Sequence, residues 1–86
     1  MALQQLSYND RLLLVQHAIL NFDTEQVLKE KLKNIMSQKE LERSLDTLIA
    51  TQKVRRIGNE KIQNNASHVG ELPALPTTLA ELLQNL

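Results

Sequence analysis

The chain has 86 residues, with ten Lys plus Arg against ten Asp plus Glu, so it carries no formal net charge and has room for one small domain. It contains no Cys, which excludes a disulfide framework, a thiolate zinc site and a cysteine nucleophile. Such a domain must be held by apolar packing or by a partner, and zero net charge argues against wholesale polyanion binding while leaving charge free to be unevenly placed.

Met1 to Leu6 has no basic n-region, and Leu12 to Val15 is too short for a secretory h-region. No apolar run approaches the ~20 residues that span a bilayer. A cytoplasmic protein is expected.

The first periodic stretch follows Ser7. Tyr8, Leu12, Val15, Ile19 and Phe22 are spaced 4, 3, 4 and 3, and Leu13, Ala18 and Leu20 widen that stripe. This predicts a helix over about 8–21, capped by Ser7 or Asn9. Asp23-Thr24-Glu25-Gln26 reads as the cap of a second helix over about 24–34, with Val27, Leu28, Leu32, Ile35 and Met36 inward. Ser37-Gln38-Lys39-Glu40 is a capping box of the S-x-x-E form. It opens a third helix that runs to about Gln52, with Leu41, Leu45, Leu48 and Ile49 inward and Lys39, Glu42, Arg43, Asp46, Thr47 and Ala50 outward.

Val54-Arg55-Arg56-Ile57, then Gly58-Asn59, then Glu60-Lys61-Ile62-Gln63 is a hairpin signal. A two-residue loop at Gly58-Asn59 would pair Ile57 with Glu60. A four-residue loop, Gly58 to Lys61, would pair Ile57 with Ile62, and is favoured because a one-sided hairpin keeps its apolar residues on the covered face. Residues 65–76 hold Gly70, Pro73 and Pro76 and read as a linker or surface loop. A short amphipathic helix over 77–86 follows, with Thr78 and Glu81 as a third capping box and Leu79, Leu82, Leu83 and Leu86 on its apolar face. It is too short to stand alone in water, so it must dock on this domain, on a second copy or on a partner.

Three helices, the second and third joined by a very short turn, then a hairpin: this order resembles the winged helix-turn-helix superfamily. The residues that carry it are Leu41-x3-Leu45-x2-Leu48-Ile49, then Val54-Arg55-Arg56-Ile57-Gly58-Asn59, then Ile62. It covers residues 7–64, and the whole of 1–64 is taken as the domain. The fold it implies is mainly α with a small β-hairpin, three helices and a wing, here with a short C-terminal helix. Similar domains often place Gly or Asn just before the first wing strand; this chain has Gln52-Lys53 there.

Nothing in the chain reads as a catalytic or cofactor site. His17 and His68 are far apart with no acid at a ligand spacing, and His17 reads as a partly buried helix histidine. There is no phosphate loop, no G-x-S-x-G and no H-E-x-x-H. Glu40 and Glu42 point to different sides of a helix and make no acid/base pair. A non-enzymatic protein without a cofactor or metal is expected.

Residues 29–61 hold nine of the ten basic residues and five acids, a sum of +4, and the remainder sums to −4. The positive segment is the second and third helices and the wing, the elements that the resemblance implies lie against double-stranded DNA. Gln38, Lys39, Glu42 and Arg43 are the candidates for base edges in the major groove. Lys53, Arg55, Arg56 and Lys61 are the candidates for phosphate or minor-groove contact from the wing. The bland reading is that these charges solvate helix faces, and Glu42 and Asp46 would repel phosphate.

The leucines at both ends suggest a homodimer or a protein partner through the first helix and Leu79, Leu82, Leu83 and Leu86. Two functions follow. One is a DNA-binding winged-helix protein, a small transcription regulator or an accessory factor on DNA. The other is a winged-helix protein–protein interaction module, an assembly factor or inhibitor that does not bind DNA.

Overall fold

In the computed structural model, which describes residues 7–58, 61–65 and 72–85, the elements follow the expected order. They are α1 (Tyr8–Ile19), α2 (Glu25–Leu32), α3 (Gln38–Ala50), β1 (Val54–Arg56), β2 (Ile62–Asn64) and α4 (Thr77–Gln84). The chain is thus mainly helical with one small antiparallel hairpin.

Side-chain caps set where the first three helices begin. The Ser7 hydroxyl accepts from the Asp10 N–H, and the Thr24 hydroxyl accepts from the Val27 N–H. Thr24, not Asp23, is therefore the cap of α2, and Gln26 closes no box. At α3 the box is complete: Ser37 Oγ accepts from the Glu40 N–H at 3.1 Å, and Glu40 Oε1 accepts from the Ser37 N–H at 2.9 Å. The expected third box does not form. α4 begins at Thr77 behind Pro76 with no side-chain cap, so Thr78 lies inside the helix.

The helices end earlier than their periodicity suggests, at Ile19, Leu32 and Ala50. The end of α3 is the informative one. Gln52 takes a positive φ of 63°. Its N–H donates to the Ile49 carbonyl at 3.0 Å, and the Lys53 N–H donates to the Leu48 carbonyl at 2.8 Å. This pair of bonds is a Schellman ending, with Gln in the place that glycine usually fills.

The core is formed by Leu14, Val15, Ala18 and Ile19 of α1, Leu28 and Leu32 of α2, Met36, and Leu41, Leu45 and Leu48 of α3, closed by Val54, Ile62 and Leu79. The buried stripe of α1 is rotated from the expected one. Leu14 and Ala18 are at its centre, Leu12 is at its margin, and Tyr8 and Leu20 are exposed. Tyr8 instead lays its ring by the Arg11 guanidinium and hydrogen-bonds Thr47 of α3 through its hydroxyl.

The hairpin register differs from both expected ones. Val54 stands opposite Asn64, Arg55 opposite Gln63 and Arg56 opposite Ile62. The Ile57 N–H donates to the Lys61 carbonyl at 2.9 Å, with Gly58 at φ 93° starting the turn. Alternation explains the choice. This register puts Val54 and Ile62 on one face, each 1% exposed. Pairing Ile57 with Ile62 would have turned Val54 outward. Val54 comes straight off α3 and packs there, while Ile57 lies farther out along the strand and stays exposed.

A further chain segment joins the hairpin. The Ile62 N–H donates to the Asp23 carbonyl at 2.8 Å, and Thr24 forms an antiparallel bridge with Lys61. The α1–α2 connection thus runs along the outer edge of β2. α4 lies on α1, and the His17 ring nitrogen Nε2 is 2.7 Å from the Pro73 carbonyl, pinning the chain that leads into it.

Candidate nucleic-acid interface

α3 turns Leu41, Leu45 and Leu48 inward, so its 100° step per residue brings Lys39, Arg43, Asp46 and Ala50 into one outward stripe. The helix is fixed at its start by the capping box and by the Arg11–Glu40 ion pair at 3.2 Å. The Ser37 N–H bond, with smaller contributions from the Ser37 hydroxyl and Arg11, holds the Glu40 carboxyl below its ordinary value of 4.5. A hydrogen bond and charge attraction from Lys33 do the same at Glu30.

Among the candidates for base edges, Lys39 and Arg43 point outward with no carboxylate partner among the described residues. Glu42 is engaged sideways: it accepts from Gln38 Nε2 at 3.2 Å and faces Lys29 Nζ at 3.6 Å. Gln38 and Glu42 therefore satisfy each other on the α2 side of the helix. Asp46 stays on the outward stripe one turn beyond Arg43, and it lines a shallow recess with Glu25, Lys29, Glu42, Leu45 and Arg56.

The wing candidates separate into two groups. Arg55 and Arg56 are adjacent in sequence but on opposite faces of β1. Arg55 faces outward and donates to Gln63 Oε1 across the ladder at 3.2 Å. Arg56 shares the face of Val54 and Ile62, and its Nε lies 2.7 Å from Glu25 Oε1 at the start of α2. Lys61 is 3.9 Å from Asp23, a long contact between two largely exposed side chains. Lys53 is exposed and has no acid partner among the described residues.

Folding thus redistributes the charge. Asp23 and Glu25 belong to the acidic remainder in sequence, yet they come to rest beside the hairpin. Taken from residue 23 to residue 61, the chain holds nine basic and seven acidic residues, a sum of +2 rather than +4. The cations without a carboxylate partner among the described residues on this side are Lys39 and Arg43 on α3 and Lys53 and Arg55 at the hairpin. Lys31 sits 5.8 Å from the centre of the Phe22 ring, away from this set in partner if not in sequence.

The approach of Glu25 to Arg56 and the Thr24–Lys61 bridge were missed by the sequence reading. The β-branched Thr24 between two helices is the only local hint of the bridge. The leucines offered to a partner are engaged at home: Leu79 is 2% exposed in the core, and Leu82 and Leu83 pack half-buried against it. Leu86 lies outside the described residues, as do Leu3, Leu6 and His68. A separate groove between the end of α1 and the hairpin is lined by Ile19, Leu20, Ile57 and Ile62 together with the polar Asp23, Gln63 and Asn64, with Leu20 64% exposed. Among the described residues no group of three or more His, Asp or Glu could hold a metal ion, and no helix is long and apolar enough to cross a membrane.

The chain matches no protein-family model, no curated protein and no solved structure.

Proposed function

We propose that this chain is a winged helix-turn-helix domain that binds double-stranded DNA, with α3 in the major groove and the hairpin on the backbone. The fold part of the reading is supported by the third chain segment at the hairpin. A short extended piece between α1 and α2 that pairs with β2 is what joins a wing to its helices, so that the wing is not an isolated and marginal hairpin. The functional part rests on one observation. Lys39, Arg43, Lys53 and Arg55 project from α3 and the adjoining hairpin with no carboxylate to neutralise them among the described residues.

Lys39 and Arg43 are one turn apart on the outer stripe and reach phosphates flanking the groove or, for Arg43, the O6 and N7 of a guanine. Lys53 and Arg55 contact the backbone beside it. Glu42 is held aside by Lys29 and Gln38, which removes part of the repulsion expected from its charge. Three or four phosphate contacts make a weak binder, so affinity should be strongly salt-dependent and modest in sequence preference. Duplex titration across a salt series tests this; Arg43→Ala should change sequence preference, and Lys53→Ala should weaken all duplexes alike.

One observation favours the second reading, a protein-interaction module. Leu20 and Ile57, both exposed, share a groove with Ile19 and Ile62. On that reading Leu20→Glu abolishes a protein complex while duplex binding is undetectable at low salt.

A further inference from the structure

Arg56 is one of the four wing candidates for a phosphate, next to Arg55 at the hairpin, yet its guanidinium already holds a carboxylate. Glu25 Oε1 stands 2.7 Å from its Nε. The carboxylate is held in place independently of Arg56, since Glu25 is in the first turn of α2 where the helix N-terminus favours a negative charge. Its side chain is 23% exposed, against 52% for that of Arg56. The acid is thus sheltered and the base accessible. The recess beside them is rimmed by Glu25, Glu42 and Asp46 against Lys29 and Arg56, so the surroundings of Arg56 are net acidic.

Given the proposed DNA-binding function, on which this step rests, we infer that Glu25 is an internal competitor for phosphate: it occupies Arg56 and lowers the affinity of the domain for duplex DNA. A carboxylate and a phosphate oxygen use the same guanidinium donors. Glu25 takes only the Nε–H of the five guanidinium donors, so what it denies a phosphate is the bidentate fork through Nε and most of the net positive charge of Arg56. Binding then rests mainly on the other four cations, and Arg56 contributes its full charge only when Glu25 lets go. The same exchange gives a regulatory handle, because anything that removes the charge of residue 25 recruits a fifth cation.

The experiment is a two-by-two set in the intact chain: wild type, Glu25→Gln, Arg56→Ala, and both together. Each is titrated with one mixed-sequence duplex at several salt concentrations, and thermal unfolding checks that each is folded. Half-exposed ion pairs are worth about 0.2–1 kcal/mol, so Glu25→Gln should tighten binding roughly 1.4- to fivefold at low salt. The slope of log K against log salt should steepen by about 0.9, one more phosphate neutralised. In the Arg56→Ala background that gain should shrink to the small effect of removing one surface negative charge, with no change in slope. An equal gain with and without Arg56 would overturn the competition, as would wild-type binding that Glu25→Gln leaves unchanged. Failure of all four proteins to bind would overturn the proposed function itself.

Discussion

Gln52 is the residue whose backbone asks for something its side chain does not supply. A non-glycine residue at φ 63° pays a steric cost that glycine avoids, on the order of 1 kcal/mol. Gln52→Gly should therefore stabilise the domain by about 0.5–1 kcal/mol, raising Tm by several degrees in a chain of this size. Chemical denaturation reads this directly, and a destabilised variant would mean that the Gln52 side chain has an unrecognised role. Glu40 gives a second residue-scale expectation, in pH. Its folded-state carboxyl lies below its ordinary value of 4.5, because the charged form accepts from Ser37. A depressed carboxylate contributes stability that is fully present above that ordinary value and is lost as pH falls through the folded one. Unfolding free energy should decline on that acid limb, and Glu40→Gln should flatten it; an unaltered limb would place the acid sensitivity elsewhere.

At the scale of elements, the hairpin register is the sharpest statement. Val54 is buried on the α3 side and Ile57 is 42% exposed. Val54→Ala should cost about 1.5–3 kcal/mol, and Ile57→Ala less than about 1 kcal/mol. The opposite ranking, measured by urea unfolding, would restore the Ile57–Ile62 pairing. α4 makes a comparable claim. With Leu79 in the core, Leu79→Ala should cost about 2–4 kcal/mol in dilute monomeric protein. A cost that rises with protein concentration would instead mean that α4 docks on another chain.

These two elements also mark how far the sequence could be read. The first three helices, the Ser37–Glu40 box and the presence of a hairpin were legible, because apolar spacing and caps are local. The α1 stripe of Tyr8, Leu12, Val15, Ile19 and Phe22, widened by Leu13, Ala18 and Leu20, is legible at Val15, Ala18 and Ile19 but not at Leu14, since every residue from Leu12 to Val15 is apolar and several faces fit. The register was not legible, because a one-residue slip depends on which apolar side chain lies nearer the helices. Among the candidate DNA contacts, Lys39 and Arg43 follow from helical periodicity. The division of Arg55 from Arg56 follows from strand alternation, but the bonding of Arg56 to Glu25 depends on residues 31 apart meeting in space.

At the scale of the whole molecule, folding converts a chain with a positive middle into a domain whose hairpin is partly neutralised. Asp23 and Glu25 come alongside the hairpin because the α1–α2 connection pairs with β2. What remains for a polyanion is a short strip of four cations with Asp46 beside it. Such a domain should bind duplexes weakly at physiological salt and gain from any arrangement that sets two strips in register on one DNA. The most direct test is the salt dependence of duplex binding by the wild-type chain beside Lys39→Ala/Arg43→Ala. Three or four neutralised phosphates, according to whether Arg43 meets a guanine or a phosphate, predict a linear plot of log K against log salt with a slope of about −2.7 to −3.6, reduced by about 0.9 to 1.8 in the double variant. Absence of duplex binding at low salt, or a slope that the double variant leaves unchanged, would contradict the DNA-binding account.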